Sequence, residues 1–249
     1  MANSNTEQPK LSKRQQTIAN REAELLDIAE KLVCEYGFAN FTMDKLTANT
    51  SYSKGTIYNH FISKEDLITA LCIKSLTAEI ELFKQAMTFP GNSREKCLAV
   101  LYAYQKHAFE HPILFMCVLS AKTHSVMEKS SQERLEQEEK LSKEVTYYCD
   151  KLFSNAVEDG SLQLNCGMTA ESYIFATWAM AFGTNALMVS ASSVETISRL
   201  NDRIAQLDNI NILLDGMGWQ PLSNEFDYHD TWQKVQALLN SEGQLSEGQ

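Results

Sequence analysis

Between residues 53 and 60 the chain groups side chains that hydrogen-bond well to a nucleic-acid duplex. Lys54 supplies charge, Thr56 a hydroxyl and Asn59 an amide that both donates and accepts; Tyr58 and His60 supply polar-tipped rings. Gly55 has no side chain, so a phosphate or a base edge could approach the backbone closely. Thr42 and Ser53 stand where helix N-caps are needed. Lys64, in the first turn of a further helix, would combine a positive head with free backbone N–H groups facing an anion. Phosphate contacts of this kind fix register, and base-edge contacts carry sequence choice. Bond-making chemistry finds no comparable set. The sequence has no P-loop, no G-x-G-x-x-G, no H-E-x-x-H and no G-x-S-x-G, so neither an enzyme nor a cofactor is expected. His107 and His111 share a helical spacing, but Pro112 follows and no acid or cysteine completes a set, so no metal is expected.

Those side chains act together only if short helices hold them at fixed angles. Apolar residues at Leu25, Ile28/Ala29, Leu32 and Tyr36 predict a helix over 21–36, ending at Gly37 in a left-handed cap. Phe38 and Phe41 add aromatic bulk before Thr42, which caps a helix from Met43 to about Asn49 with Met43 and Leu46 inward. Thr50-Ser51-Tyr52 reads as a turn. Ser53 then caps a helix to about Asn59, with Ile57 inward and Phe61 closing the unit. Ser63 and Asp66 fit a capping box that opens a longer helix to about Met87, stopped by Pro90-Gly91. Residues 42–61 therefore satisfy the pattern of a helix-turn-helix, whose second helix lies in the DNA major groove.

Further helices are expected at about 93–110, 112–121, 124–158, 169–190, 194–214 and 228–240, with no internal repeat and no period-2 strand. The fold class is all-α. The 249 residues carry a net charge of −10, which alone argues against DNA. Distribution matters more, because screening limits each charge to roughly 10 Å. Residues 1–70 hold eight Lys+Arg and nine Asp+Glu, so nearly all the excess acid lies beyond them. Lys10, Lys13, Arg14 and Arg21 follow one another with no acid between. Residues 1–16 read as a flexible basic and polar tail that could reach a minor groove or the DNA backbone. Six scattered cysteines without C-x-x-C spacing point to reduced structural thiols in the cytoplasm. The uncharged stretch 172–194 is long enough to span a bilayer. Its threonines, serines and Asn185, with Glu171 and Glu195 at its ends, favour a buried helix and no membrane.

Residues 18–68 resemble the DNA-binding domain of TetR/AcrR-family transcriptional regulators. The resemblance rests on Thr42-Met43-Asp44-Lys45-Leu46, on Ser53-Lys54-Gly55-Thr56-Ile57-Tyr58-Asn59-His60-Phe61, and on Ser63-Lys64-Glu65-Asp66-Leu67, with Ala29 to Phe38 upstream. It covers about a fifth of the chain. It implies a tail over 1–16, a DNA-binding domain over 17–66 and a helical effector-binding and dimerisation domain over 67–249. It implies phosphate contacts from Thr42, Tyr58, His60 and Lys64, beside the capping Ser53, and base reading by Lys54, Gly55, Thr56 and Asn59. The family's turn commonly has Ala-Gly-Val where this chain has Thr50-Ser51-Tyr52; a positive φ at Ser51 would cost about 1 kcal/mol relative to glycine.

The resemblance further implies a homodimer on a near-palindromic operator in double-stranded DNA, released by a small, largely apolar effector. Trp178, Phe182 and Asn185 share one helix face and, with Tyr102, His107 and Tyr147, are the pocket residues it suggests. Ala176, Ala179, Gly183 and Ala186 form a small-residue face of the same helix, suited to close approach of a second copy. Interleaved charges over 128–144 read as a solvated helix face. Two other readings differ in class. One is a helical dimer that binds a small molecule without reading DNA; the other is a helical enzyme acting on an apolar substrate.

Overall fold

The computed structural model describes residues 12–165, 167–201 and 204–241, and all regular structure in them is helical. The head is built from α1 (Lys13–Asn40), α2 (Met43–Ala48) and α3 (Lys54–Tyr58). The body follows with α4 (Lys64–Ala86), α5 (Ser93–Glu110), α6 (Pro112–Ala121), α7 (His124–Met127), α8 (Gln132–Glu158), α9 (Ala170–Ser190), α10 (Glu195–Ser198), α11 (Ala205–Gly216) and α12 (Tyr228–Ser241).

Two apolar cores share α4. Its first half sends Leu67, Leu71, Cys72 and Leu76 into a core with Leu25, Ala29 and Leu32 of α1, Leu46, Ile57 and Phe61, closed by Leu114 and Cys117 of α6. Its second half sends Phe83 and Ala86 into a larger core with Leu98 and Tyr104 of α5, Leu152 and Phe153 of α8, Tyr173 of α9 and Ile210 of α11. Each fully buried Leu or Phe contributes roughly 1.5–3 kcal/mol, so neither core separates from α4 cheaply.

Several expected boundaries shift. The first helix begins at Lys13, where Ser12 makes a capping box with Gln15, so Lys13 and Arg14 are helical and not part of a tail. Lys10 lies outside the described residues. Gly37 has positive φ (73°) as expected, but its ψ of 160° is extended, so it kinks α1 instead of ending it in a left-handed helical cap. Ser51 has a negative φ, which removes the strain considered for the turn.

The helix expected over 124–158 is broken at 128–131. The backbone N–H and hydroxyl of Ser131 both donate to Asp66 of α4 (2.9 and 2.8 Å), which fixes a new helix start there. The span 194–214 also divides. Residues 195–198 bury none of their side chains, and a helix without a packed face does not propagate. The charged face of α8 is not wholly solvated either: Glu138 is buried and ion-paired with Lys122 at 2.6 Å. No helix among the described residues is long and apolar enough to cross a membrane. Burial pushes the thiols of Cys72 and Cys97 up to about 12 and raises that of Cys117 as well. Cys166 lies outside the described residues.

Candidate functional site

α3 has five residues, too few to hold a helix alone, and its stability comes from its ends and one inward side chain. Ser53 Oγ accepts from the Thr56 N–H at 3.1 Å and lies 2.9 Å from Thr56 Oγ1. Ile57 is fully buried beside Leu46 and Phe61. At α2, Thr42 Oγ1 accepts from the Lys45 N–H at 3.2 Å. This packing turns Lys54, Gly55, Tyr58 and Asn59 outward, with Thr56 half-buried.

Gly55 is informative because nothing inside the protein requires it. Its φ is not positive, and an added Cβ would meet only Ser53 Oγ, at 3.9 Å. Neither packing nor backbone conformation therefore favours glycine over alanine here, and its bare backbone faces outward.

Thr42, Tyr58 and Lys64 line one shallow depression of about 450 Å³, floored by Ala39, Phe41 and Met43. Tyr58 is 38% exposed there. Lys64 Nζ donates to the carbonyls of Phe38 (2.6 Å) and Ala39 (3.3 Å), and Lys45 Nζ donates to that of Asn40 (2.7 Å). Two ammonium groups thus cap the carboxyl end of α1 beside the amino end of α2, concentrating positive charge at one rim. Lys45 carries no distinguishing signal in sequence. Its i+3 position after the Thr42 cap was visible, but the carbonyl that orients it was not. Lys54 pairs with Asp44 at 2.7 Å, and this hydrogen bond holds its ammonium above its ordinary range.

His60 is placed differently. Its ring is 6% exposed and its Nδ1 lies 3.2 Å from Glu22 Oε2, so it faces α1 instead of solvent. Its carbonyl accepts from Arg134 at 3.0 Å. Arg134, on α8, also contacts Glu22 (2.9 Å) and Asp66 (3.4 Å) and lies over the Phe61 ring. This buried cluster joins head to body. Asp66 does not complete a reciprocal cap with Ser63; its carboxylate takes the Ile62 N–H (3.1 Å) and the Ser131 groups instead.

The six pocket residues suggested by sequence do not line one cavity. Tyr102 packs edge-on against Trp232 in a separate surface groove. His107 is buried with Nε2 2.8 Å from Ser75 Oγ, and burial lowers its pKa to about 4. Tyr147 is 57% exposed. Phe182 stacks on Phe115, and Asn185 is wholly buried. Trp178 alone of the six lines the cleft of about 400 Å³ between α4, α5, α8 and α9, with Glu79, Tyr104, Val145, Cys149 and Ile174. Those neighbours come from four separate helices, so no local spacing discloses them.

On α9, Ala176, Gly183 and Ala186 are half-buried and Ala179 is exposed. Ala176, Ala179 and Gly183 lie away from the inward face of Tyr173, Thr177 and Ala181, while Ala186 packs partly against the core. Exposed Phe175 and Leu187 flank them, and Ile212 of the neighbouring α11 is 71% exposed.

Residues 25–71 match the family described as bacterial regulatory proteins, tetR family. The chain is 33% identical over 61 residues to the HTH-type transcriptional regulator UidR of Escherichia coli, an alignment covering 24% of this chain and 31% of that protein. The chain therefore spans about a third of the length of the curated relatives it matches. A tetR-family regulatory protein from Rhodococcus superposes with a TM-score of 0.61 at 15% identity, covering 80% of this chain and 97% of that one. The FadR transcriptional regulator of Bacillus subtilis, solved with stearoyl-CoA, superposes with a TM-score of 0.59 at 17% identity, covering 78% and 98%.

Proposed function

From a chain whose N-terminal domain is that of the tetR family of bacterial regulatory proteins, on an all-helical fold like theirs, we propose a sequence-specific DNA-binding transcriptional regulator. It acts as a homodimeric repressor on a near-palindromic operator and works in the cytoplasm, where that DNA is. The relatives it matches are named as transcriptional regulators, not enzymes. The observation that carries the reading is the outward face of α3, where Gly55 is glycine for no internal reason and lies between Lys54 and Thr56.

α3 enters the major groove. Lys54, Thr56 and Asn59 read base edges while Gly55 lets the backbone approach. Thr42, Tyr58 and Lys64 bind phosphate from their shared depression, with Lys45 adding charge. His60 acts indirectly: its contact with Glu22 holds the end of α3 against α1.

A second copy docks on the small-residue face of α9, with α11 beside it, setting the two α3 helices about one DNA turn apart. A small, largely apolar effector enters the cleft between α4, α5, α8 and α9. It releases DNA by as much as it prefers a different spacing of the heads. α4 carries that preference, because it lines the effector cleft and reaches the head core. The FadR neighbour was solved with stearoyl-CoA. The cleft here suits an apolar body, but Asp150 and Glu171 in its lining oppose an anionic carrier.

The test is selection of random-sequence duplexes by the whole protein at two salt concentrations, beside a Lys54→Ala/Tyr58→Phe variant. A recovered near-palindrome, weakened by salt and by the variant, is the expected result. No enrichment, or a variant that selects like the parent, overturns the reading.

A further inference from the structure

The effector cleft contains a carboxylate with nothing to pair with. Glu79, in the fifth turn of α4, is 4% exposed, yet no hydrogen bond or ion pair reaches it among the described residues. It lines both the 400 Å³ cleft and an adjoining void of about 60 Å³, in each case beside Tyr104, Cys149 and Trp178. An isolated ionised carboxylate is costly to bury, so a site that keeps one needs a matching positive charge or a proton. Burial alone raises the Glu79 pKa to about 8, which favours its protonated form at neutral pH.

The surroundings point to what would replace it. Asp150 of α8 and Glu171 of α9 are exposed lining residues of the same cleft. Lys122, the basic residue of the lining, is already neutralised by Glu138 at 2.6 Å. Such a lining attracts cations and repels anions. Trp178 leaves part of its ring exposed, its Nε1 donating to Tyr104 Oη at 3.3 Å, and Phe175 lies beside it. Aromatic faces bind cations and stack on apolar bodies.

Resting on the reading of this cleft as the effector site, we propose that its ligand is an organic cation. A quaternary or protonated amine-type head is seated on Glu79, and an apolar body lies against Tyr104, Ile174, Phe175 and Trp178. Binding then expels the proton from Glu79 and ionises it. The other titratable groups near it or lining its cleft are Cys72 of α4, Tyr104 of α5, Cys149 and Asp150 of α8, Glu171 of α9 and Lys122, paired with Glu138. Burial lifts the tyrosine and holds both cysteines at about 12, so none takes up that proton near neutrality.

The experiment is calorimetric titration of the whole protein, without DNA, using tetraphenylphosphonium and its anionic isostere tetraphenylborate. The cation is expected to bind and quench tryptophan fluorescence while the borate does not. Glu79→Gln is expected to weaken the cation by about tenfold or more, as loss of a charged partner would. Its melting temperature reports that the fold persists. In the parent, titration at pH 7 in buffers of different ionisation enthalpy is expected to show release of most of one proton. Equal binding of the two ions, no binding of the cation, a Glu79→Gln variant with parental affinity, or no proton release each overturns the proposal. A protein that binds the cation but selects no DNA keeps this inference and sinks the regulator reading; one that selects DNA but ignores the cation does the reverse.

Discussion

At the scale of single residues, a side chain's surroundings separate those shaped by the protein's interior from those that need something outside it. Gly55 has room for a methyl group and an ordinary helical backbone. Gly55→Ala is therefore expected to leave the melting temperature unchanged or raise stability by up to about 1 kcal/mol, while operator affinity falls sharply. Parallel thermal denaturation and duplex binding check this; a variant that binds DNA normally removes the argument for close approach at Gly55. Glu79 makes the opposite case, an interior position that disfavours its own charge. Its pKa rises from 4.5 to about 8 on folding, so the native state holds a proton that the unfolded chain releases. That contribution is fully present below about 4.5 and is lost as pH rises through 8. Glu79→Gln should thus gain on the parent progressively between those values, by an amount on the order of 2–4 kcal/mol at alkaline pH. Denaturant titrations at pH 5, 7 and 9 measure it, and a constant difference would show that the carboxylate is not desolvated.

At the scale of elements, most helices follow from periodicity and caps, and the exceptions have local causes. Thr42, Ser53 and Ser63 each cap the helix that their position promised. The break before α8 has no such local signal, since Ser130 and Ser131 could continue a helix; it arises because Asp66, far away in sequence, takes the Ser131 N–H and hydroxyl. That same join holds Arg134 against Glu22, Asp66 and the His60 carbonyl. Arg134→Ala leaves two partly or fully buried carboxylates less well paired and is expected to cost about 2–3 kcal/mol. Because the cluster ties α8 to α1 and α3, its loss should also blunt the effect of any effector on DNA binding. Equilibrium unfolding checks the first effect and effector-dependent DNA binding the second; a variant with parental stability shows that the cluster does not brace the junction.

At the scale of the whole molecule, one chain leaves an apolar surface uncovered. Ala176, Ala179 and Gly183 of α9 face away from the core, with exposed Phe175 and Leu187 beside them and Ile212 of α11 nearby. In the proposed dimer a second copy would cover that surface and double the number of reading heads. Ala179→Arg places a long charged side chain at its centre and is expected to yield monomers with weak operator binding but parental helicity. Light scattering after size exclusion checks this, and a variant that remains dimeric moves the interface elsewhere.

The outward polar face of α3 was legible because a helix-turn-helix is local: its caps, inward residues and outward polar set lie within 42–64, and i, i+3 and i+4 spacing determines which side each takes. The all-helical class was legible for the same reason. The burial of the His60 ring is not legible locally because it depends on Glu22, 38 residues away. The lining of the cleft is not legible in sequence because a cavity is bounded by residues from several helices, and no spacing within α9 discloses Glu79 on α4 or Cys149 on α8. Periodicity determined which face of each helix turns inward; only the packing of those faces decided which inward residues fill the core and which enclose a space with an unpaired charge.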